Sequence, residues 1–483
     1  MGLEILNYSS VFESLGNLLY YLYNLGRSRP PFLCQELLVE ILSWLPVKSL
    51  VRFRCVSKSW KSLISDSRFV KLHLQRSSSR VNADFSHAHF LTLCDTHAFD
   101  RTYISSRCMS SLVDTHSTTA ASPVCCLSGY DSIGACNGLV GLSYTYYVKR
   151  KRFFRVCFWN PATRLMSQRS PRLRSSGYFG FGYDCSCDTY KVVSVCPEET
   201  MVNVYNMGDD RWRRIQVVPL PRLRLMPPAV YVSNNINWLA TLPIDILYGN
   251  HGADLMDADP YVIVSFDLGK QKYTQLSLPY CPRSMNDYWE FLPVLGVLRG
   301  CLCISENNDK IGNFEVWQMK EFGVQRSWTR LFSIHGYENF IQLPCFAMCI
   351  SDNGDALLLS VSGASRGVLY TFRDKKSRGV LYTFRDKKFQ GTEIANEIDG
   401  CYTENYIESL MCIKTNLFGF LNIVSDQIKR VYKVNKGCSY RYLRDGLKSS
   451  LERLRAPSKS DIVTAIAAND LPVADGLLSG FPT

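Results

Sequence analysis

Apolar residues first recur at helical spacing between positions 33 and 64. Leu37, Leu38, Ile41, Leu42 and Leu45 stand three and four apart, which predicts a short helix with one apolar stripe. Pro46 ends it, because proline has no N–H to donate and its ring crowds the preceding turn. Pro46 can also open a second helix at its first position, carrying Leu50 and Phe53, and Val56, Trp60, Leu63 and Ile64 mark the stripe of a third. "SDSRFVKLHLQRSS" adds an amphipathic fourth. Helices of two or three turns are marginal alone in water, and a unit of about 45 residues buries only part of its apolar surface. Something else must cover the remainder.

Past a Ser-rich joint at 76–86 the pattern changes to short aromatic and β-branched runs separated by Gly, Asn, Asp and Pro, the texture of many short strands. One phrase recurs: "FWNPATRLMSQ" from Phe158, "VYNMGDDRWRRI" from Val204, "FDLGKQKYTQL" from Phe266, "VWQMKEFGVQRSWTRL" from Val316 and "LYTFRDKK" from Leu369. Each reads as strand, polar turn, strand. The starts lie 46, 62, 50 and 53 residues apart, close to the ~40–50-residue period of propeller blades. The expected fold is α+β: a small N-terminal helical module, an all-β propeller-like domain, and a short helical or disordered tail.

Trp159, Trp212 and Trp328 stand in three of these phrases and are expected in blade cores, where buried aromatics dominate. "SRGVLYTFRDKK" occurs at 365–376 and again at 377–388, and only the second copy runs on into "FQGTEI". One copy is surplus to a blade. Beyond Leu410 the phrases stop, and the tail has helical periodicity with Ser460 or Asp461 as a candidate N-cap.

Leu33, Glu36-Leu37, Ile41-Leu42, Leu45-Pro46, "RFRCVSKSW" and "FVKLHLQRSS" resemble the F-box of plant F-box proteins. In that family the helical module docks on a Skp-type adaptor of a cullin-based ubiquitin ligase. The resemblance implies that the apolar stripe is shared between an internal core and this partner, with Leu33, Leu37, Ile41, Leu42, Leu45, Pro46, Val56 and Trp60 as adaptor-binding residues. The chain departs from the family at Cys34, where Pro is usual and would help to set the entry into the first helix. "CNGLVGL", "WNPATR", "FGFGYDCSCDTYKVVSV", "INWLA", "VSFDL", "VWQMKEFG" and "YIESL" resemble the F-box-associated interaction domain, often described as kelch-like, which in the family holds the protein to be ubiquitylated. The implied order is an N-terminal extension over 1–31, an F-box over 32–76, a linker over 77–85, a substrate-binding propeller-like domain over 86–410 and an unassigned extension over 411–483. No family motif fixes the residues that touch the target.

Charge and cysteine usage refine this picture. Lys and Arg number 55 against 43 Asp and Glu, a net +12 that allows acidic partners without proving nucleic-acid binding. Four of those cations, Lys149, Arg150, Lys151 and Arg152, stand between two strand-like runs in "YTYYVKRKRFFRVCFWN". Burying them would be prohibitive, so they are expected on a hairpin tip, as a candidate substrate-binding loop or an import signal. Nineteen cysteines follow no regular framework, which fits a reducing compartment, cytoplasmic and/or nuclear. No apolar run reaches the ~20 residues of a membrane-spanning helix, and "LGNLLYYLYNLG" is broken by asparagines and lacks a basic start, unlike a secretory signal.

Chemistry was sought among the remaining motifs. His87, His89, Cys94 and His97 lie close together in "HAHFLTLCDTH", but their spacing matches no zinc pattern and the segment reads as the first strand pair of the large domain. The pairs Cys185/Cys187 and Cys301/Cys303 read as small hydrophobes on strands. There is no GxGxxG after a strand, no Walker loop, no HExxH and no GxSxG. The expectation is therefore a two-part adaptor with no catalytic residue, cofactor or metal. It would join an unidentified target protein to the ligase. A propeller-like protein binding nucleic acid, or acting as a carbohydrate-active enzyme, is the alternative, and neither explains the F-box.

Overall fold

The computed structural model describes residues 35–83, 89–96, 101–108, 123–126, 130–174, 177–196, 201–216, 223–241, 261–279, 293–308, 313–335, 345–350, 356–361, 377–383, 388–391, 402–411 and 413. Among the described residues four helices come first: α1 (Gln35–Leu42), α2 (Val47–Phe53), α3 (Lys58–Ser65) and α4 (Ser67–Ala83). The chain divides into two units at Phe69/Val70, with α4 crossing the division. Pro46 acts as the N-cap of α2 at φ −59°, one position ahead of the expected first turn. Ser57 caps α3 by accepting from the Trp60 N–H at 3.1 Å, and Asp66 Oδ1 accepts from the Arg68 and Phe69 N–H groups at the start of α4. Leu42, Leu45, Val47, Leu50 and Ile64 are buried.

The segment 77–85, expected as a linker, is helical as far as Ala83. Serines are poor helix formers because their hydroxyls compete for backbone groups. Here Ser78 and Ser79 instead donate back to the Leu74 and Gln75 carbonyls within α4, at 3.0 and 3.1 Å. A Ser-rich run thus reads as a joint while forming the last turns of a helix.

Among the described residues the strands make six four-stranded antiparallel sheets. The first holds β1 (His89–Thr96), β2 (Arg101–Cys108) and β3 (Pro123–Cys126), and the second β4 (Tyr130–Cys136), β5 (Leu139–Val148), β6 (Lys151–Asn160) and β7 (Leu165–Met166). The third holds β8 (Tyr178–Asp184), β9 (Thr189–Val195), β10 (Met201–Asn206) and β11 (Arg213–Gln216). The fourth holds β12 (Arg224–Val232), β13 (Asn235–Thr241), β14 (Tyr261–Asp267) and β15 (Lys272–Leu276). The fifth holds β16 (Val294–Leu298), β17 (Cys301–Asn308), β18 (Asn313–Met319) and β19 (Trp328–His335). The sixth holds β20 (Cys345–Ile350), β21 (Ala356–Val361), β22 (Ser377–Thr383) and β23 (Lys388–Gly391). Finally β24 (Tyr402–Tyr406) returns to pair with β1 and completes the first sheet. Neighbouring sheets meet through β24, β4, β8, β12, β16 and β20, the radial arrangement of a propeller whose blades are built outward from these strands.

The recurring phrase is the hairpin between the third and fourth strands of a blade: β6–β7, β10–β11, β14–β15, β18–β19 and β22–β23. In the sixth blade the second copy of the duplicated segment supplies β22, whereas the first copy lies outside the described residues. Trp159 is buried in the second blade as expected, but Trp212 and Trp328 are only half-buried, each with its indole N–H donating to a carbonyl outside its own strand pair, Pro171 and Ser277. Trp238 on β13 is fully buried as well. Cys303 is buried on β17, but Cys185 and Cys187 sit exposed in the β8–β9 turn, not on a strand. The acidic and polar side chains around them, Asp184, Ser186 and Asp188, are those of a tight turn.

Blade contacts explain two motifs. In "FGFGYD" a Cβ at Gly180 would lie 2.3 Å from Ile236 Cγ2 and 2.8 Å from Trp238 Cζ2, so the fourth blade packs directly on the β8 backbone. In "WNPATR" the buried Asn160 donates through Nδ2 to the carbonyls of Ser409 and Met411, both at 3.0 Å, while its Oδ1 accepts from the Thr163 N–H. The chain segment after β24 is thereby clamped to the second blade.

Asn160→Ala should leave those carbonyls without their donor, at roughly 2–5 kcal/mol for the two. Calorimetry should show a Tm lowered by on the order of 5–10 °C, and an unchanged Tm would mean that the clamp carries no stability. Deleting 365–376 should be nearly neutral. Val361 pairs with Ser377, so only Ser362, Gly363 and Ala364 would join β21 to β22, a loop length common in hairpins. The expected Tm lies within about 3 °C of the parent, and a larger fall would show that both copies are structural.

Candidate interaction site

The helical unit splits the expected adaptor residues into two stripes. Leu38, Leu42 and Leu45 face inward to differing depth, and Leu42 and Leu45 are buried. The neighbouring stripe Leu37, Ile41 and Trp44, also four and three apart, is turned outward, with Leu37 53% and Trp44 42% exposed and Ile41 half-buried. Val56 is 62% exposed, Pro46 is exposed, and Trp60 is half-buried with its ring edge-on to Phe53 at 5.4 Å. Leu33 and Cys34 lie outside the described residues. Trp44 was not among the expected residues. Its spacing from Leu37 and Ile41 was the available signal, and its indole N–H donates to Glu40 Oε1 at 3.2 Å.

In the large unit, the four cations fall where the sequence predicts. β5 and β6 are joined by the two residues Lys149 and Arg150, at φ 48° and 61°, and Val148 pairs with Lys151 to close the hairpin. Two positive φ values in a two-residue loop match the I′ turn whose hand suits twisted strands and which Asn-Gly occupies without strain. Lys149, Arg150, Lys151 and Arg152 are all exposed, and Tyr147 and Val148 beside them are 69% and 41% exposed.

Below the tip runs a ladder of rings and guanidinium groups. Tyr144 stacks on Tyr146 and Tyr146 on Phe153, each with ring centroids 5.9 Å apart. Arg169 lies over Tyr144 at 4.8 Å and over Tyr130 at 5.4 Å, and its Nε–H donates to the Tyr130 hydroxyl at 2.8 Å. Arg172 sits 5.7 Å from the Phe153 ring and Arg152 4.7 Å from the Phe154 ring. The two arginines 169 and 172 are placed by the segment after β7, which hydrogen-bonds along β6 through Ser167, Ser170 and Leu173.

Other titratable clusters are self-contained. Burial works to raise the Asp184 carboxyl, but hydrogen bonds from Lys191, Ser186 and Cys187 outweigh it and hold the group below the usual carboxylate range. Lys191 also donates to the Leu268 carbonyl of the fourth blade at 3.1 Å, so this buried pair ties two blades together. Burial pushes the Cys157 and Cys303 thiols up to about 12, which makes them inert hydrophobes rather than nucleophiles. Among the described residues no group of His, Cys, Asp and Glu is arranged to hold a metal ion. His89 lies on β1 with its ring edge-on to Tyr406 at 5.8 Å, and His87 and His97 lie outside the described residues.

Comparison with known families supplies the identity. The F-box domain model matches residues 32–72, and the model of the F-box associated beta propeller domain matches residues 93–413. The chain belongs to the F-box proteins that carry this propeller. The F-box/kelch-repeat protein At3g23880 of Arabidopsis thaliana is 30% identical over 352 residues, covering 68% of this chain and 85% of that protein. The F-box protein CPR1 of the same plant is 25% identical, covering 62% of this chain and 72% of that one. Among solved structures, the β-propeller domain of the Trilobed protease from Pyrococcus furiosus aligns over 54% of this chain and 69% of that one, at 8% identity and a TM-score of 0.30, a likeness too distant to bear on chemistry.

Two non-glycine residues in the left-handed region cost about 1–2 kcal/mol each. Lys149→Asn with Arg150→Gly should therefore raise the Tm, by roughly 3 °C or more in a domain of this size. A Tm at or below the parent value would show that the turn carries no strain.

Proposed function

We propose that this F-box protein is the substrate-recognition subunit of a Skp-cullin-F-box ubiquitin ligase. The F-box would dock on a Skp-type adaptor and, through it, on the cullin core, while the propeller holds a target protein. The observation that carries this reading is an F-box whose outward stripe, Leu37, Ile41 and Trp44, is left partly or largely uncovered, with Val56 also exposed, in the same chain as a propeller. Such apolar side chains at helical spacing are what a helix-docking partner buries.

The chain would do no bond chemistry. By holding a target beside the conjugating enzyme it raises the effective concentration of the target's lysines, which is catalysis by proximity. The target is a protein found in the cytoplasm, the nucleus or both, and the exposed Lys149 to Arg152 tip is the proposed contact. Membrane attachment has no part in this reading, and among the described residues no helix is long and apolar enough to cross a membrane.

Leu37→Asp with Val56→Asp tests the adaptor surface without threatening the fold, since exposed substitutions usually change stability by only about 0.5 kcal/mol. Adaptor captured by the purified chain should fall at least about tenfold with an unchanged circular dichroism spectrum, because a desolvated carboxylate opposes docking. Leu45→Asp, by contrast, should unfold the helical unit outright. Undiminished adaptor capture by the Leu37/Val56 variant would overturn the reading.

A further inference from the structure

We propose that the β5–β6 tip is the docking site for an acidic segment of the target protein that carries a large apolar side chain. The proposal rests on the target-recognition reading above and names the chemistry of what is recognised. Four observations converge on it.

Between Asp131 and Asp184 the chain has nine Lys and Arg and not one Asp or Glu. Among the described residues, none of Lys149, Arg150, Lys151 and Arg152 pairs with a carboxylate. Uncompensated like charges on one tip repel each other, and a carboxylate-bearing partner relieves that repulsion. The turn adds to this: it holds two long cations at positive φ where Asn and Gly would sit without strain.

Charge alone would not distinguish one polyanion from another. The apolar side chains do. Tyr147 pairs across the hairpin with Arg152, and Val148 with Lys151, so each face of the tip presents an exposed apolar group beside a cation. Tyr and Arg around a desolvated centre are the composition of protein-binding hot spots. Successive bases of a single strand would need several open ring faces, whereas Tyr144, Tyr146 and Phe153 are already stacked on one another and the tip itself offers one exposed ring, Tyr147. That ladder, held by Arg169, makes the tip a rigid support for a peptide, and rigidity lowers the ordering cost of binding.

The test uses the full chain co-expressed with its adaptor. The probe is a short fluorescein-labelled peptide of glutamates around a central Phe-Leu pair, read by anisotropy against the same peptide with Gln for Glu and against oligothymidylate. Lys149→Asn, Arg150→Gly, Lys151→Ser and Arg152→Ser combined should weaken the glutamate peptide about tenfold at roughly 0.05 M salt, the gap closing towards roughly 0.5 M. Tyr147→Ser should weaken it about fivefold at both salt concentrations, because apolar contact is not screened. Equal binding by parent and fourfold variant, equal binding of the Gln peptide, or tighter binding of oligothymidylate would each overturn the proposal. Adaptor co-purifying with the chain separates the two readings: a parent that holds adaptor but ignores the peptide refutes the tip alone, and one that binds peptide without adaptor refutes the ligase role alone.

Discussion

The propeller depends on β24, the last of the described strands. β24 supplies the edge on which β1 lies, in register from His89 opposite Tyr406 to Leu93 opposite Tyr402. Without it the first blade would have three strands and an open edge beside the second blade, and an unpaired edge is a template for aggregation. The residues that follow reinforce the pairing. Tyr406, Leu410 and Ile413 are buried, Asn160 holds the Ser409 and Met411 carbonyls, and the segment lies so close to the β4–β5 turn that a Cβ at Gly138 would meet Ser409 Oγ at 2.2 Å. Gly138 also stands at φ 75°, so both its conformation and its missing side chain serve the closure. The β1–β24 pairing joins residues more than three hundred positions apart, and non-local pairing of that kind forms late and slowly.

Closure matters because the core is divided among the gaps between blades. Phe158 and Phe181 pack across the second and third blades with ring centroids 5.4 Å apart, and Ile413 joins the same cluster. Val193 and Val204 of the third blade meet Ile236, Trp238 and Phe266 of the fourth, and Leu239 and Ile263 of the fourth meet Leu302 and Ile304 of the fifth. Each blade exposes apolar surface on both faces until its neighbours arrive, so strand pairing at the first blade secures burial elsewhere.

Much of this was legible in the sequence, for reasons that differ by element. The phrase at Phe158, Val204, Phe266 and Val316 could be read because every blade must turn back between its third and fourth strands, and that turn imposes polar residues at a regular period. The hairpin tip at Lys149 could be read because four adjacent cations have no buried alternative. The clamp at Asn160 was hidden, since its partners lie some 250 positions away and are backbone carbonyls that leave no side-chain signature. The Ser-rich end of α4 misled because hydroxyls can back-bond inside a helix as well as outside one. At the helical unit, apolar spacing showed the helices but not which of two adjacent stripes turns outward; Leu42 and Trp44 differ by two positions and lie on opposite sides of that boundary.

The two ends of the recognition problem use opposite physical means. The adaptor surface proposed at Leu37, Trp44 and Val56 would rely on apolar burial, which varies little with salt and, at constant geometry, depends on area. The target surface proposed at Lys149 to Arg152 would rely on charge, which steers encounter over roughly a Debye length and adds little lifetime by itself. A ligase subunit benefits from that asymmetry, because it must stay on its core while targets arrive, are modified and leave. In that proposal the exposed Tyr147 and Val148 would set how long an arriving segment remains, since desolvation of an apolar contact is what lowers the dissociation rate. Holding these groups on a hairpin of a β24-dependent propeller would keep a target's position defined relative to the rest of the domain, so the fold's stability and the proposed selectivity would rest on the same strand pairing.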